Sequence, residues 1–315
     1  MAEAYVTTTK PKKVRNARLE SAGTTFKLFF KNKTAFAGFV ITAAYFIVAL
    51  LDAVYPSYLG VSNISSTLMF LPGHTPNSQL PTPPTFGGSW YYWLGTTQSR
   101  IPLLPAMLAS LKIDLGYSVL IVLVGMSSGL IIGSFSGFIG GYLDEIVMRI
   151  TDIFFSLPFL VFAIVITFVL GFTITNIVIA LVIIWWPTYA RLARGLALQT
   201  KALKYVEAAY ASGSTTLRTV FSHIVPNVLS PIYVQVSLDL GSIVQIFAAL
   251  DFLGFNQGNI YLPELGNLIN QGQNFLAGGI WWPVVIPGLF LLVFTVSINL
   301  MGDGLRDVLD PKLRR

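Results

Sequence analysis

Residues Tyr205–Pro231, YVEAAYASGSTTLRTVFSHIVPNVLSP, form a polar interlude between two long apolar runs. Leu203, Val206 and Tyr210 repeat at helical spacing, with Lys204 and Glu207 on a more polar side. Gly213 is a stop signal, and Ser214 or Thr215 can cap a following helix. There Leu217, Val220, Phe221 and Ile224 make an i, i+3, i+4, i+7 stripe, which Pro226 should end. The pattern predicts two short amphipathic helices. Between membrane spans such a pair suits a docking surface for a soluble partner, although an ordinary cytoplasmic loop carries the same signature.

Composition places the stretch in a membrane protein. Of 315 residues, 54% are hydrophobic and only 11% charged, and the mean hydropathy is +0.69. A soluble domain of this length needs far more charge to cover its surface. The chain has no cysteine, which excludes disulfides and thiolate chemistry. Two histidines, His74 and His223, cannot build a histidine-rich metal site. The sequence pI near 9.4 raises nucleic acid as a partner until the basic residues are located.

Working outward, residues 1–33 hold eight Lys/Arg, with Thr24–Lys33 suited to a helix lying on the membrane surface. Apolar runs predict spans at about 34–54, 113–139, 153–171, 174–190, 229–250 and 282–301. The segment 55–110 has eight prolines, no Asp or Glu, and the aromatic run Trp90–Trp93, and reads as an irregular external loop. Asn63 opens a short glycosylation-type motif there. Residues 256–281 form a second external stretch.

With the N-terminus inside, eighteen of the twenty Lys/Arg fall on cytoplasmic segments, and only Arg100 and Lys112 lie outside. That asymmetry orients the chain with both termini and the interlude in the cytoplasm. The basic balance is thus a topology signal and not a nucleic-acid footprint.

Two features lie within the spans. Gly125, Gly129, Gly133 and Gly137 recur every four residues, and Gly141 continues the series. Such a stripe lets another helix approach closely, either inside the subunit or at a moving contact between subunits. Asp239 lies mid-span, where an unpaired carboxylate is costly. It either lines the transport path or its gate, or sits hydrogen-bonded in a helix interface. Asp52 and Asp114 are expected at the membrane interface, and Asp251 at the outer end of its span.

No phosphate-cradling Gly-x-x-x-x-Gly-Lys-Ser/Thr occurs, nor any Gly-Lys pair. No nucleophile set, metal cluster or paired carboxylates stand out. The chain is therefore not expected to be an enzyme, to bind a cofactor or to hold a metal. Any ATP hydrolysis must come from separate subunits.

Glu207-Ala208-Ala209, Gly213 and Ile224-Val225-Pro226-Asn227 closely resemble the EAA loop of ABC importer permeases, specifically the second permease subunit of the dipeptide/oligopeptide (nickel) family. The run Trp186–Arg194 resembles the lead-in to that loop, and Ala248–Gly254 and Asn299–Asp307 resemble later blocks. Leu94–Thr97 matches the family's Gly-Thr-Asp block only loosely, and Asp251 stands where many relatives have a small residue. The resemblance implies an all-α integral membrane protein of six transmembrane helices, with a cytoplasmic two-helix coupling loop. Residues 1–33 would be a basic tail and interfacial helix, 34–302 the transmembrane domain and 303–315 a cytoplasmic tail. The coupling loop would span 191–228 and the external loop 55–110.

By the same resemblance, Tyr205, Glu207, Ala208, Ala209, Gly213, Ile224 and Pro226 would dock an ATPase subunit. Partners would be a homologous permease, two ATPases carrying ATP and Mg, and an extracellular substrate-binding protein, all at the cell membrane. The cargo would be peptides, with oligosaccharides or nickel as alternatives. An ion-coupled carrier using Asp239 is the rival from another class, and the docking loop argues against it. A membrane-embedded hydrolase would lack any catalytic constellation.

Overall fold

Asn32 opens the first long helix. Its side-chain oxygen accepts the backbone N–H groups of Thr34 at 3.2 Å and Ala35 at 3.4 Å, covering donors that the helix leaves unmatched. That helix, α1, runs Lys33–Val54. The computed structural model describes residues 29–54, 80–87, 90–97, 101–255 and 263–309. Among these residues the chain is helical, with no strand beyond an isolated bridge between Thr96 and Pro102. Most of the basic tail, Asn63 and His74 fall outside them, as does half of Thr24–Lys33, of which 29–31 and 33 are helical.

Helix α2 runs Leu103–Ile139, α3 Gly141–Ser156, α4 Phe159–Leu170 and α5 Ile174–Lys201. The short α6 is Lys204–Ala211. Next, α7 extends from Thr216 to Phe252. Helix α8 covers Leu265–Gln273 and α9 Trp282–Leu309. Five of them, α1, α2, α5, α7 and α9, are long and apolar enough to cross a membrane. The pair α3–α4 is apolar enough to cross only when its two helices are taken together, and it is bent by 91° at the break between them. The bend has a local cause: Pro158 forces Leu157 into extended backbone, at φ −104° and ψ 142°, and the helix cannot run through it.

The glycine stripe sets the central packing. Gly129 and Gly133 lie directly on the backbone of Trp186 and Ala190 in α5. At Gly137 a methyl group would come within 2.8 Å of the Arg194 carbonyl, and at Gly125 within 3.2 Å of Trp185 Cβ. Thus α2 and α5 run side by side in the same direction, in direct backbone contact, and α3–α4 connects them in the chain. The main core forms where these two meet α7, around Ile121, Leu181, Tyr189, Ile224 and Phe247. A second cluster ties α1 to α9 through Tyr45, Phe294 and Ile298, and Tyr45 donates its hydroxyl to the Phe290 carbonyl at 2.9 Å.

Several boundaries depart from the sequence reading. Helix α2 starts at Leu103, ten residues before the expected span, so the end of the 55–110 segment is helical. The expected coupling loop 191–228 is helical at both ends, since α5 continues to Lys201 and α7 begins at Thr216. The 256–281 stretch includes α8, and α9 runs past 302 into the expected tail.

The largest difference lies at Pro226, which does not end a short second helix. Residues Val220–Ile224 form a π turn in which Val225 N–H reaches back to the Val220 carbonyl, and the helix continues to Phe252. The wider turn accommodates the proline ring and its missing N–H. Asn227 Nδ2 also donates to the His223 carbonyl at 2.6 Å.

Candidate functional site

The interlude folds into an elbow built on α6, Gly213 and the start of α7. Val206 is the anchor of α6 and is buried against the ends of α2 and α5. Tyr210 meets the Phe138 ring edge-on at 5.7 Å between centroids. Tyr205 accepts from Asn227 Nδ2 at 2.9 Å and lies edge-on to His223, so both ends of α6 are pinned. Lys201 donates to the Phe138 carbonyl at 2.6 Å, covering an end carbonyl of α2.

Gly213 makes the turn. Its φ is +88°, a conformation that other residues adopt only with strain, and no heavy atom lies within 4 Å of where a Cβ would stand. Backbone geometry, and not crowding, therefore calls for glycine. Thr215 then caps α7, its hydroxyl accepting from Arg218 N–H at 3.3 Å.

The elbow shows one face to solvent. Glu207, Ala208, Gly213 and Pro226 are exposed, and Ala209 is half-buried. Beside them stand the exposed apolar side chains Leu203, Tyr205, Tyr210, Leu217 and Phe221. A hollow of about 560 Å³ opens next to this face, lined in part by Phe138, Leu198, Val206, Glu207 and Tyr210. Ile224 does not share the face. It is completely buried in the core, so it supports the elbow from within and cannot touch a partner directly. The expected stripe of Leu217, Val220, Phe221 and Ile224 divides likewise, with Val220 and Ile224 inside and Leu217 and Phe221 outside.

Polar struts brace the same end. Arg194 grips Asp144 of α3 through two parallel hydrogen bonds, Nε to Oδ1 at 2.7 Å and Nη2 to Oδ2 at 2.6 Å. The Ser136 hydroxyl also donates to Asp144. Arg191 pairs with Asp152 at 2.6 Å and lies 4.2 Å over the Phe155 ring. The sequence carries no signal that pairs these four charged residues, because each pair spans about forty to fifty residues.

Asp239 lies far from the elbow, buried between α5 and α7. It accepts from Trp185 Nε1 at 3.1 Å and from Gln235 Nε2 at 2.9 Å. The geometry is that of a hydrogen-bonded acid in a helix interface. Asp52 and Asp114, expected at the membrane interface, are both buried. The sequence also gave no hint of paired carboxylates, yet Asp114, Asp251 and Glu264 gather at one place. Among the described residues no group of three or more His, Cys, Asp or Glu could hold a metal ion.

Residues 129–315 match the family model described as binding-protein-dependent transport system inner membrane component. The chain is 33% identical over 293 residues to the dipeptide transport system permease protein DppC of Haemophilus influenzae, covering 92% of this chain and 95% of that one. It is 35% identical to the di/tripeptide permease protein DppC of Pseudomonas aeruginosa, over 75% of this chain and 78% of that one. The glutathione transport system permease protein GsiD of Pectobacterium atrosepticum matches at 34%, over 72% and 75%. The chain belongs to the family of inner-membrane components of binding-protein-dependent transport systems. It is a multi-pass membrane protein and a transport component, not an enzyme.

Proposed function

We propose that this family member is one of two homologous permeases that together form the pore of an ATP-driven importer for di- and oligopeptides. Two ATPase subunits and an extracellular substrate-binding protein complete the assembly, and ATP and Mg bind to the ATPases. Peptides are the cargo named for the permeases of Haemophilus influenzae and Pseudomonas aeruginosa, and glutathione for that of Pectobacterium atrosepticum is itself a small peptide.

The observation that carries the coupling role is the elbow itself. Its exposed face presents Glu207 and Ala208 on a short helix, pinned at both ends to α2 and α7, and Gly213 in the turn just past it. A contact so fixed moves the spans when it is moved, whereas a slack loop absorbs the motion. In this reading Ile224 is a support and not a contact. Orientation follows from the Lys/Arg asymmetry, which puts the elbow and both termini in the cytoplasm and α3–α4 as the bent third of six crossings of the cell membrane.

The test is purification of the chain from its native membrane, with identification of the chains that come with it and uptake of a labelled dipeptide by the reconstituted complex. Two nucleotide-binding chains and a second permease are expected, with uptake that requires ATP. Recovery of the chain alone, with uptake driven by an ion gradient, would overturn the reading in favour of a carrier.

A further inference from the structure

Helix α7 is packed on two flanks and open between them. On one flank Gly241 lies against Ile298 of α9, and on the other Asp239 takes the indole N–H of Trp185 in α5. The gap leaves Ser242 and Gln245 exposed and Gln235 half-buried. At 3.6 residues per turn these three fall within about 80° of one another around the helix. All lie inside the apolar run 229–250.

Their hydrogen-bonding capacity is largely unspent. Gln245 has no partner among the described residues, and Ser242 reaches only the Leu238 carbonyl, at 3.4 Å. Gln235 gives one N–H to Asp239 at 2.9 Å and keeps its carbonyl oxygen.

Other spans present a different surface. Between 36 and 54 in α1, throughout α4, and between 283 and 298 in α9, every exposed residue is apolar, among them Ile47, Phe168 and Leu289. The exposed Ser127 of α2 is satisfied by its own helix, through the Leu123 carbonyl at 2.6 Å. Hydrocarbon tails offer neither donor nor acceptor, so a free amide turned toward them is costly, and polar groups within a span face water or protein instead. The faces of α1, α4 and α9 suit lipid; this face of α7 does not. The same helix begins in the elbow at Thr216, so a pull on the elbow moves this face directly.

We propose that this face of α7 borders a water-filled path, and that Gln235, Ser242 and Gln245 form an uncharged ladder that hydrogen-bonds the backbone of an extended peptide in transit. The inference rests on the peptide-importer reading above. A glutamine amide offers both a donor and an acceptor, as a peptide bond does. From Gln235 to Gln245 the face is about 15 Å long, the reach of about four extended residues. Without a charge of its own, the ladder holds the backbone and leaves the charge of the side chains unread.

Single cysteines test the path, since the chain has none of its own. Ser242→Cys and Gln245→Cys are compared with Val165→Cys and Leu289→Cys on the apolar faces, in membrane vesicles holding the complete complex turning over ATP. A small charged methanethiosulfonate reacts with a thiolate, which forms only in water, so the first two should label about tenfold faster or more. Labelling no faster than the apolar positions would overturn the path. So would disulfide cross-links from 242 and 245 to the second permease, which would make the face a subunit contact.

The ladder is tested by placing a charge on it. Gln245→Glu should raise uptake of a lysine-containing dipeptide relative to a glutamate-containing one by about threefold or more, and Gln245→Lys should move the ratio the other way. An unchanged ratio in both variants would overturn the contact with cargo. Fast labelling in a complex that imports another solute and no dipeptide would keep the water-filled face and overturn the peptide reading.

Discussion

Arg194 and Asp144 are joined by two parallel hydrogen bonds, at 2.7 and 2.6 Å, that tie the start of α3 to the C-terminal third of α5. The carboxylate is mostly buried and the guanidinium about one-third exposed, so solvent weakens the pair without cancelling it. Asp144→Asn should lower stability by roughly 1–2 kcal/mol. Arg194→Lys should cost nearly as much, since an ammonium cannot make the fork. A double-mutant cycle on thermal midpoints in detergent checks this, and a coupling of zero would show the pair to be incidental.

The four packing glycines should not be equivalent. Alanine at Gly133 or Gly129 would strike the α5 backbone, which cannot move aside, whereas at Gly125 it would meet Trp185 Cβ at 3.2 Å. The expected order of damage is Gly133 and Gly129, then Gly137, then Gly125, with roughly 1–3 kcal/mol at the worst positions. Yield of folded protein and thermal midpoint would reveal the ranking. A uniform response along the stripe would contradict this packing.

At Gly213 the strain is in the backbone alone. Gly213→Val should cost about 1–2 kcal/mol and redirect the start of α7, while Gly213→Asn, which tolerates the left-handed region better, should lose less. Membrane insertion should survive in both. Substrate-stimulated ATP hydrolysis in the reconstituted complex should drop for valine and stay closer to normal for asparagine. Equal activity of the two variants would mean that the turn does not set the geometry of coupling.

Glu207→Lys reverses an exposed charge on the proposed contact face. The variant should bind ATPase subunits more weakly, by an amount that changes with ionic strength, because exposed charges are screened over about 10 Å at 0.1 M salt. Binding of purified ATPase at low and high salt would settle it. Unchanged affinity at both would remove Glu207 from the interface.

For Asp239 the prediction separates two partners. Asp239→Asn keeps an acceptor but turns an amide toward one of its donors, so assembly should persist with a modest loss of stability. Trp185→Phe removes the indole donor and leaves the carboxylate under-satisfied, which should cost roughly 1–3 kcal/mol. If Asp239→Asn instead abolishes uptake in a complex of normal stability, the acid lines the path and is more than a structural group.

Much of the elbow could be read from local chemistry. Gly213 as the turn, Ser214 or Thr215 as a cap and the 3.6-residue period of α6 are decisions made within a few residues; the turn and the period are present, and of the two caps it is Thr215 that serves. Pro226 misled because a proline's usual effect is also local, and a π turn five residues long absorbs it. Pro158 was an available signal, since the residue before it is driven to extended backbone, yet a continuous apolar run hid the bend. The long-range pairs were invisible for a different reason. Nothing near Asp144 marks Arg194 as its partner, and nothing near Asp251 announces Glu264; tertiary packing alone brings them together.

Pro231 has a mechanical consequence. It divides α7 into an arm of about 21 Å back to Leu217 and one of about 30 Å on to Asp251. A rigid rod pivoting there would turn a displacement of about 1 Å at Leu217 into about 1.4 Å at Asp251. The position of one proline along the rod thus sets the ratio between the movements at its two ends.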